Sequence, residues 1–212
     1  MPHPRPDDDL GWLAEALRRP PGEDAQHRMA PALRREHVRA SAPPASARPS
    51  AVLILLYPAA AGWSTLLIKR GTYDGAHSGQ VAFPGGRLEP HDASEAHAAL
   101  REAEEEVGLD PAEVDLLGRL SPLYVPASHH LIHPFVGRAA AEPLFRPEPA
   151  EVSALLPVDL AHLFAPGTKA ETTLTVRGGL RLQAPYYAVA GETVWGATAM
   201  IISELEAVFL RR

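Results

Sequence analysis

Cysteine is absent from the 212 residues. That excludes disulfides, thiolate zinc sites and cysteine nucleophiles, and leaves only oxygen or imidazole to hold any metal. No stretch approaches the roughly 18 to 20 apolar residues of a membrane span. The first residues, MPHPRPDDDLGW, put no apolar signal core behind a basic end. A cytoplasmic protein with no membrane attachment is expected. An excess of positive charge is also missing: 20 Lys and Arg stand against 26 Asp and Glu, for a net charge of -6. Nothing therefore draws the molecule as a whole to nucleic acid, and a small-molecule partner is expected. There is no internal repeat, and no low-complexity tract beyond a proline bias near the start.

What is present is enough for one core, since 46% of the residues are apolar. Residues 1–48, rich in proline, arginine and alanine, read as a peripheral arm with short helices over 9–18 and 29–39. Residues 49–212 read as the domain proper. AVLILLY at 51–57 has the unbroken apolar character of a central strand buried on both faces, and 64–69 continues it after a Gly62-Trp63 turn. A short strand over 80–83 stops at Pro84, Gly85 and Gly86. Further strands are expected at 114–120, 130–138, 174–182 and 186–189, with a last helix over 198–209. Strands and helices interleave without a regular alternation, so a mixed sheet between helices is the expected α/β architecture.

The clearest helix spans 93–107. Asp92 is the expected cap, Glu95 stands three residues on, and Gly108 supplies the stop. Its apolar stripe is Ala96, Ala99, Leu100, Ala103 and Val107. At 100° per residue, Glu102, Glu105 and Glu106 share an arc of about 100° beside that stripe, and Glu104 points away. Like charges so placed repel by roughly 0.2 to 0.5 kcal/mol per pair, more near a buried face, and call for a cation. Oxygen donors alone favour Mg2+ or Mn2+. Arg101 stands one turn before Glu105, placed to hold that carboxylate. A run such as REAEEE is most often a solvated face. Here it follows the tight Gly85-Gly86 loop, whose carbonyls and amides can reach a metal or a phosphate.

The block from Gly85 to Leu109, GGRLEPHDASEAHAALREAEEEVGL, resembles the Nudix box. Arg101, Glu102, Glu105, Glu106, Gly108 and Leu109 match its second half, and Ala103 fills the apolar position. In the first half Asp92 replaces a glutamate, and eight residues rather than seven separate it from Arg101. That variant, with Lys69-Arg70, His77, Gly79-Gln80-Val81, Phe83-Pro84-Gly85-Gly86 and the late VWGATA at 194–199, resembles the coenzyme A pyrophosphatase-like group of Nudix hydrolases. One departure is Asp74-Gly75, where members of the group often carry Leu-Arg.

The resemblance implies an α/β/α sandwich and metal-dependent cleavage of a nucleoside diphosphate linked to another group. Coenzyme A or acyl-CoA would yield 3′,5′-ADP and (acyl-)4′-phosphopantetheine. ADP-ribose or NADH as substrates, and a non-catalytic nucleotide-sensing domain, are the alternatives. It implies that Glu102 and Glu106 are metal ligands and the Gly86 carbonyl another, that Glu105 is a ligand or orients a water, and that Arg101 orients the carboxylates. Arg70, His77 and Gly85 are the candidate substrate contacts. The base is left open among Glu105, Glu148 and Glu151.

His129, His130 and His133 resemble a metal cluster, but strand alternation would put His129 and His133 on one face and His130 on the other, which disfavours zinc. A place for one of them beside the substrate is the better expectation. Tyr124, Trp195 and Phe83 read as core, and Pro84 as structural. A homodimer through the arm or the final helix is left open.

Overall fold

The structure, a computed structural model, describes residues 10–32, 43–72, 78–175, 179 and 181–211. Its centre is β1 (Arg48–Ala59), which contains the apolar run. β1 turns into β2 (Gly62–Arg70), followed by β3 (Val81–Ala82) and β4 (Gly85–Arg87). Helix α3 (Glu95–Val107) comes next, after the two short N-terminal helices α1 (Gly11–Ala16) and α2 (Glu23–His27). Then follow β5 (Val114–Arg119), β6 (Leu123–Val125), β7 (His130–Ala139) and β8 (Val152–Asp159). The short α4 (Leu160–Leu163) leads to a hairpin pair, β9 (Lys169–Thr175) and β10 (Arg181–Val189), then β11 (Glu192–Trp195) and α5 (Gly196–Phe209).

The main sheet is mixed. Its path is β3-β2-β1-β7-β5, with β4 on β1, β6 on β7 and β8 on β2. β1 and β7 run parallel, with Ala51 opposite His133, and the other pairs are antiparallel. β9, β10 and β11 form a separate antiparallel sheet.

Strand alternation sends Ala51, Leu53, Leu55 and Tyr57 of β1 under α3, against Ala98, Ala99, Ala103 and Val107. Ile54 and Leu56 face the other side, in one cluster with Leu10, Leu13 and Leu17 and with Met200, Ile202 and Leu205 of α5. Helices on both faces of a mixed sheet make the expected α/β/α sandwich, and they explain why β1 is apolar from 51 to 57 apart from the Tyr57 hydroxyl.

Several expectations change. Residues 10–30, expected at the periphery, contribute Leu10, Leu13, Leu17, Ala25, Met29 and Ala30 to the buried interior. Buried Glu204 of α5 ties this segment down, accepting from Gly22 N–H at 2.9 Å and Gln26 Nε2 at 2.8 Å. The helix expected over 29–39 lies largely outside the described residues. The strand expected over 174–182 is instead the meeting of β9 and β10, with Gly179 at φ +75° between them. β8 is masked in the sequence by Pro157, which sits there because β8 pairs only with β2 among the described strands. The final helix, considered as a dimer surface, has ten of its 14 residues buried within the chain.

Candidate active site

The site is built where β4 meets the start of α3. β4 lies against β1 with Ala51 opposite Gly86 and Val52 opposite Gly85, anchored by Leu53 N–H to the Pro84 carbonyl at 2.9 Å. Each glycine is needed for a different close approach. At Gly85, φ is +154°, and a Cβ would strike the Ala51 carbonyl oxygen and Val52 Cα. At Gly86, a Cβ would overlap the carboxylate of Glu102. That overlap places the Glu102 side chain directly on the loop.

α3 starts later than its sequence suggests. Its cap is Ser94, whose hydroxyl oxygen accepts from His97 N–H at 3.2 Å, and Gly108 ends the helix in the left-handed region at φ +66°. Asp92 therefore has another task. Its carboxylate is sealed from solvent and takes Arg101 Nε and Nη2, each at 3.0 Å, together with Glu89 N–H at 2.8 Å. Those donors hold its pKa far below the usual carboxylate range, the hydrogen bond from Arg101 being the largest cause. A bidentate pair of this kind fixes a guanidinium in one plane. Arg101 Nη1 then reaches Glu105 Oε2 at 2.8 Å and Glu102 Oε1 at 3.0 Å. The signal for this pairing is an acid nine residues before Arg101, a position that a helix-start pattern assigns to a cap.

Asp92→Asn should lower kcat by about 10- to 100-fold, the usual cost of losing a partner that orients a liganding group, with little change in KM. Steady-state kinetics on the purified variant checks this.

The three glutamates expected on one edge are not equivalent. Glu106 is buried, and its Oε2 accepts Gly85 N–H at 2.8 Å while Oε1 receives Arg70 Nη2 at 3.2 Å. Glu102 is mostly covered, with 14% of its side chain exposed, whereas Glu105 is 57% exposed and leans on Arg101. Glu104 is exposed, as expected. The carbonyl found beside Glu106 is that of Gly85, linked to it through Arg70 at 2.6 Å, one residue before the Gly86 carbonyl singled out in the sequence. Both backbone groups of Gly85 are thus engaged inside the protein, as is the Arg70 side chain. His77 lies outside the described residues.

The charge of Glu151, in the turn just before β8, adds to the upward pKa shifts of both Glu102 and Glu106, behind the larger effect of burial. Glu148 instead accepts Ala150 N–H at 3.2 Å within its own turn. His129 Nδ1 shares a hydrogen bond with Tyr124 Oη at 2.9 Å, and His133 is buried with no hydrogen bond at its Nδ1. Among the described residues no three His, Asp or Glu side chains form a ready-made metal cage. Phe83 is core, as expected.

Burial, with Glu102 and Glu151 adding to it, pushes Glu106 up to about 7 against the pull of Arg70 and Gly85 N–H. Burial also raises Glu102. A carboxyl raised in the folded state holds its proton more tightly there than in the unfolded chain. The stability this brings is complete below about 4.5 and is lost as pH rises through about 7. The metal-free protein should therefore lose stability between pH 5 and 8 relative to Glu106→Gln. His133, whose pKa burial lowers, acts oppositely but equally in both proteins, so the difference between their melting curves reports Glu106 together with its coupling to Glu102.

A Nudix domain model matches residues 47–175. The chain belongs to the Nudix family. Its similarity to the human mitochondrial coenzyme A diphosphatase NUDT8 is 35% identity over 128 residues, covering 60% of this chain and 54% of that protein. It is 36% identical over 140 residues to the Nudix hydrolase NudL of Photorhabdus laumondii, covering 66% of this chain and 74% of the relative. The chloroplastic Nudix hydrolase 22 of Arabidopsis thaliana is 35% identical over 173 residues, covering 77% and 56%. The match thus spans only about half the length of the human and plant relatives. A MutT/nudix family protein from Enterococcus faecalis has the same fold, with a TM-score of 0.51 at 16% identity over 96% of this chain and 74% of that one.

Nudix proteins generally use divalent metal ions. The donors here fit one: carboxylate and carbonyl oxygens, without nitrogen or sulfur, around a buried Glu106 pressed by two other carboxylates. No helix among the described residues is long and apolar enough to cross a membrane.

Proposed function

We propose that this Nudix domain hydrolyses the diphosphate bond of coenzyme A or acyl-CoA, using Mg2+ or Mn2+ held by Glu102 and Glu106. The observation that carries the reading is Glu106, a buried carboxylate fixed to the glycine loop, with the Glu102 carboxylate lying on Gly86 beside it. Burying acidic groups together is costly unless a cation joins them. The bound ion would neutralise charge on the diphosphate and on the departing phosphate.

The chain's own residues divide the remaining work. Arg101, locked by Asp92, fixes Glu102 and Glu105. Glu151, whose charge reaches both inner glutamates from the turn before β8, takes the proton from the attacking water. Glu105, exposed at the rim, is the alternative base. The water oxygen forms the new bond to phosphorus, and the bridging oxygen leaves with the bonding electron pair. Coenzyme A would give 3′,5′-ADP and 4′-phosphopantetheine.

Coenzyme A as substrate is supported by the activity that names the human relative and by the string from Lys69 to Gly86. The second reading, a Nudix hydrolase of ADP-ribose or NADH, is favoured by Asp74-Gly75, which removes a cation where the substrate group often carries one. A nucleotide-sensing domain without catalysis is disfavoured by the complete glutamate set. Incubation with coenzyme A, acetyl-CoA, ADP-ribose and NADH separates these readings. Release of 3′,5′-ADP from coenzyme A at the highest kcat/KM is expected. A higher kcat/KM for ADP-ribose or NADH would replace coenzyme A with the second reading.

A further inference from the structure

One cation already stands in the site, and it belongs to the chain. A single guanidinium nitrogen, Arg70 Nη2, lies 2.6 Å from the Gly85 carbonyl oxygen and 3.2 Å from Glu106 Oε1. The other Glu106 oxygen is occupied by Gly85 N–H. The Glu106 side chain is only 2% exposed, whereas that of Arg70 is 26% exposed, so the guanidinium reaches a sealed carboxylate from the open side.

The backbone at this point is pinned. Arg70 N–H donates to the Gln80 carbonyl at 3.0 Å, and Gly71 N–H to the Glu151 carbonyl at 2.7 Å. With the backbone held, any displacement of Arg70 falls on its long side chain, which has its two hydrogen bonds to Gly85 and Glu106 to give up. A divalent ion sits about 2.0 to 2.6 Å from its oxygen ligands. Nη2 stands between the Gly85 carbonyl oxygen and Glu106 Oε1, on the carboxylate oxygen that an ion held by Glu106 would use, and two cations could not share that place. The Arg101 guanidinium is different, because Asp92 grips it on a second edge away from the glutamates.

We propose that Arg70 is an internal stand-in for the divalent ion: it neutralises Glu106 while the ion is absent and is expelled from Glu106 and Gly85 when the ion binds. This rests on Glu106 being a metal ligand, as proposed for the function. Expulsion leaves the guanidinium beside the ion at the mouth of the site, available to a second anion. The diphosphate of the substrate is that anion, and bidentate phosphate binding suits arginine. The chain thereby keeps its inner carboxylate satisfied before loading, and its phosphate-binding arginine becomes available only in the loaded site.

The test uses the wild-type full chain. Arginine modification by phenylglyoxal, mapped by mass spectrometry, is followed with and without saturating Mg2+. Arg70 is expected to react severalfold faster with Mg2+, while Arg101 stays slow and serves as the internal reference. In parallel, Mn2+ binding is titrated by electron paramagnetic resonance. Arg70→Gln is expected to bind Mn2+ about tenfold more tightly, since no charge-assisted hydrogen bond has to be broken first. Its melting temperature should fall below wild type only in the metal-free state.

Normal Mn2+ binding with Arg70 no more reactive in Mg2+ would overturn the exchange and leave the metal site standing. Failure of the wild type to bind Mn2+ at all would overturn both. Should Arg70→Gln not fold, the wild-type labelling decides alone.

Discussion

Glu106→Gln lowers kcat/KM for diphosphate hydrolysis by roughly 10²- to 10³-fold, the range for losing one preorganised electrostatic group. The two glutamine atoms divide the roles badly. The amide oxygen still accepts Gly85 N–H, as Glu106 Oε2 does at 2.8 Å. The amide nitrogen then turns a donor toward Arg70 Nη2 and offers nothing to a metal ion. Stability moves the other way. Burial raises the Glu106 pKa, so the charged form is the costly one above about pH 7, and a neutral amide removes that cost. Activity should therefore collapse while the metal-free melting temperature at pH 8 holds or rises. A merely structural glutamate would give the reverse pattern, stability lost and residual activity in proportion to folded protein.

Gly86→Ala is expected to cost about 10²-fold in kcat, the scale on which a displacement of about 1 Å at a reacting group is felt. The added methyl would overlap the Glu102 carboxylate, the far end of a flexible side chain, so the fold accommodates it by pushing the carboxylate off the loop. Gly85→Ala fails by another route. Its methyl would meet the Ala51 carbonyl and Val52 Cα, backbone that cannot give way, and parting β4 from β1 should cost about 3 kcal/mol or more. Gly167→Ala, with nothing within 4 Å of the added atom, is the neutral control. Thermal melts alongside kinetics separate the three: Gly86→Ala folded but slow, Gly85→Ala unstable, Gly167→Ala unchanged.

Much of this site is legible in the amino-acid sequence, because helical spacing is rigid. The 3.6-residue period alone turns Glu104 away and brings Glu102 and Glu106 to the sheet side, and the Gly85-Gly86 pair announces a close approach. β1 is equally plain, since a strand buried on both faces has no polar alternation to interpret.

What stays illegible has a common cause, which is long-range pairing. Asp92 is a plausible cap in any helix-start pattern, and only the fold brings it against Arg101. Glu105 shares the arc of Glu102 and Glu106 on a helical wheel, yet β4 covers only part of that arc and leaves Glu105 in solvent. Arg70 reads as a loop cation awaiting phosphate. Its engagement with Gly85 and Glu106 depends on β2 ending beside the glycine loop, a meeting that no local pattern encodes. The N-terminal segment reads as peripheral because its leucines are sparse among prolines and arginines. Buried Glu204, some 180 residues away, supplies the anchor.

A phosphorus-31 NMR time course of coenzyme A with the purified protein, before and after adding Mg2+ or Mn2+, decides whether this is a metal-dependent diphosphate hydrolase. The diphosphate resonances should remain intact without the ion and give way to monophosphate resonances with it, in wild type but not in Glu106→Gln. Intact diphosphate in the presence of ion, for coenzyme A and equally for ADP-ribose and NADH, or equal cleavage by Glu106→Gln, would refute the assignment.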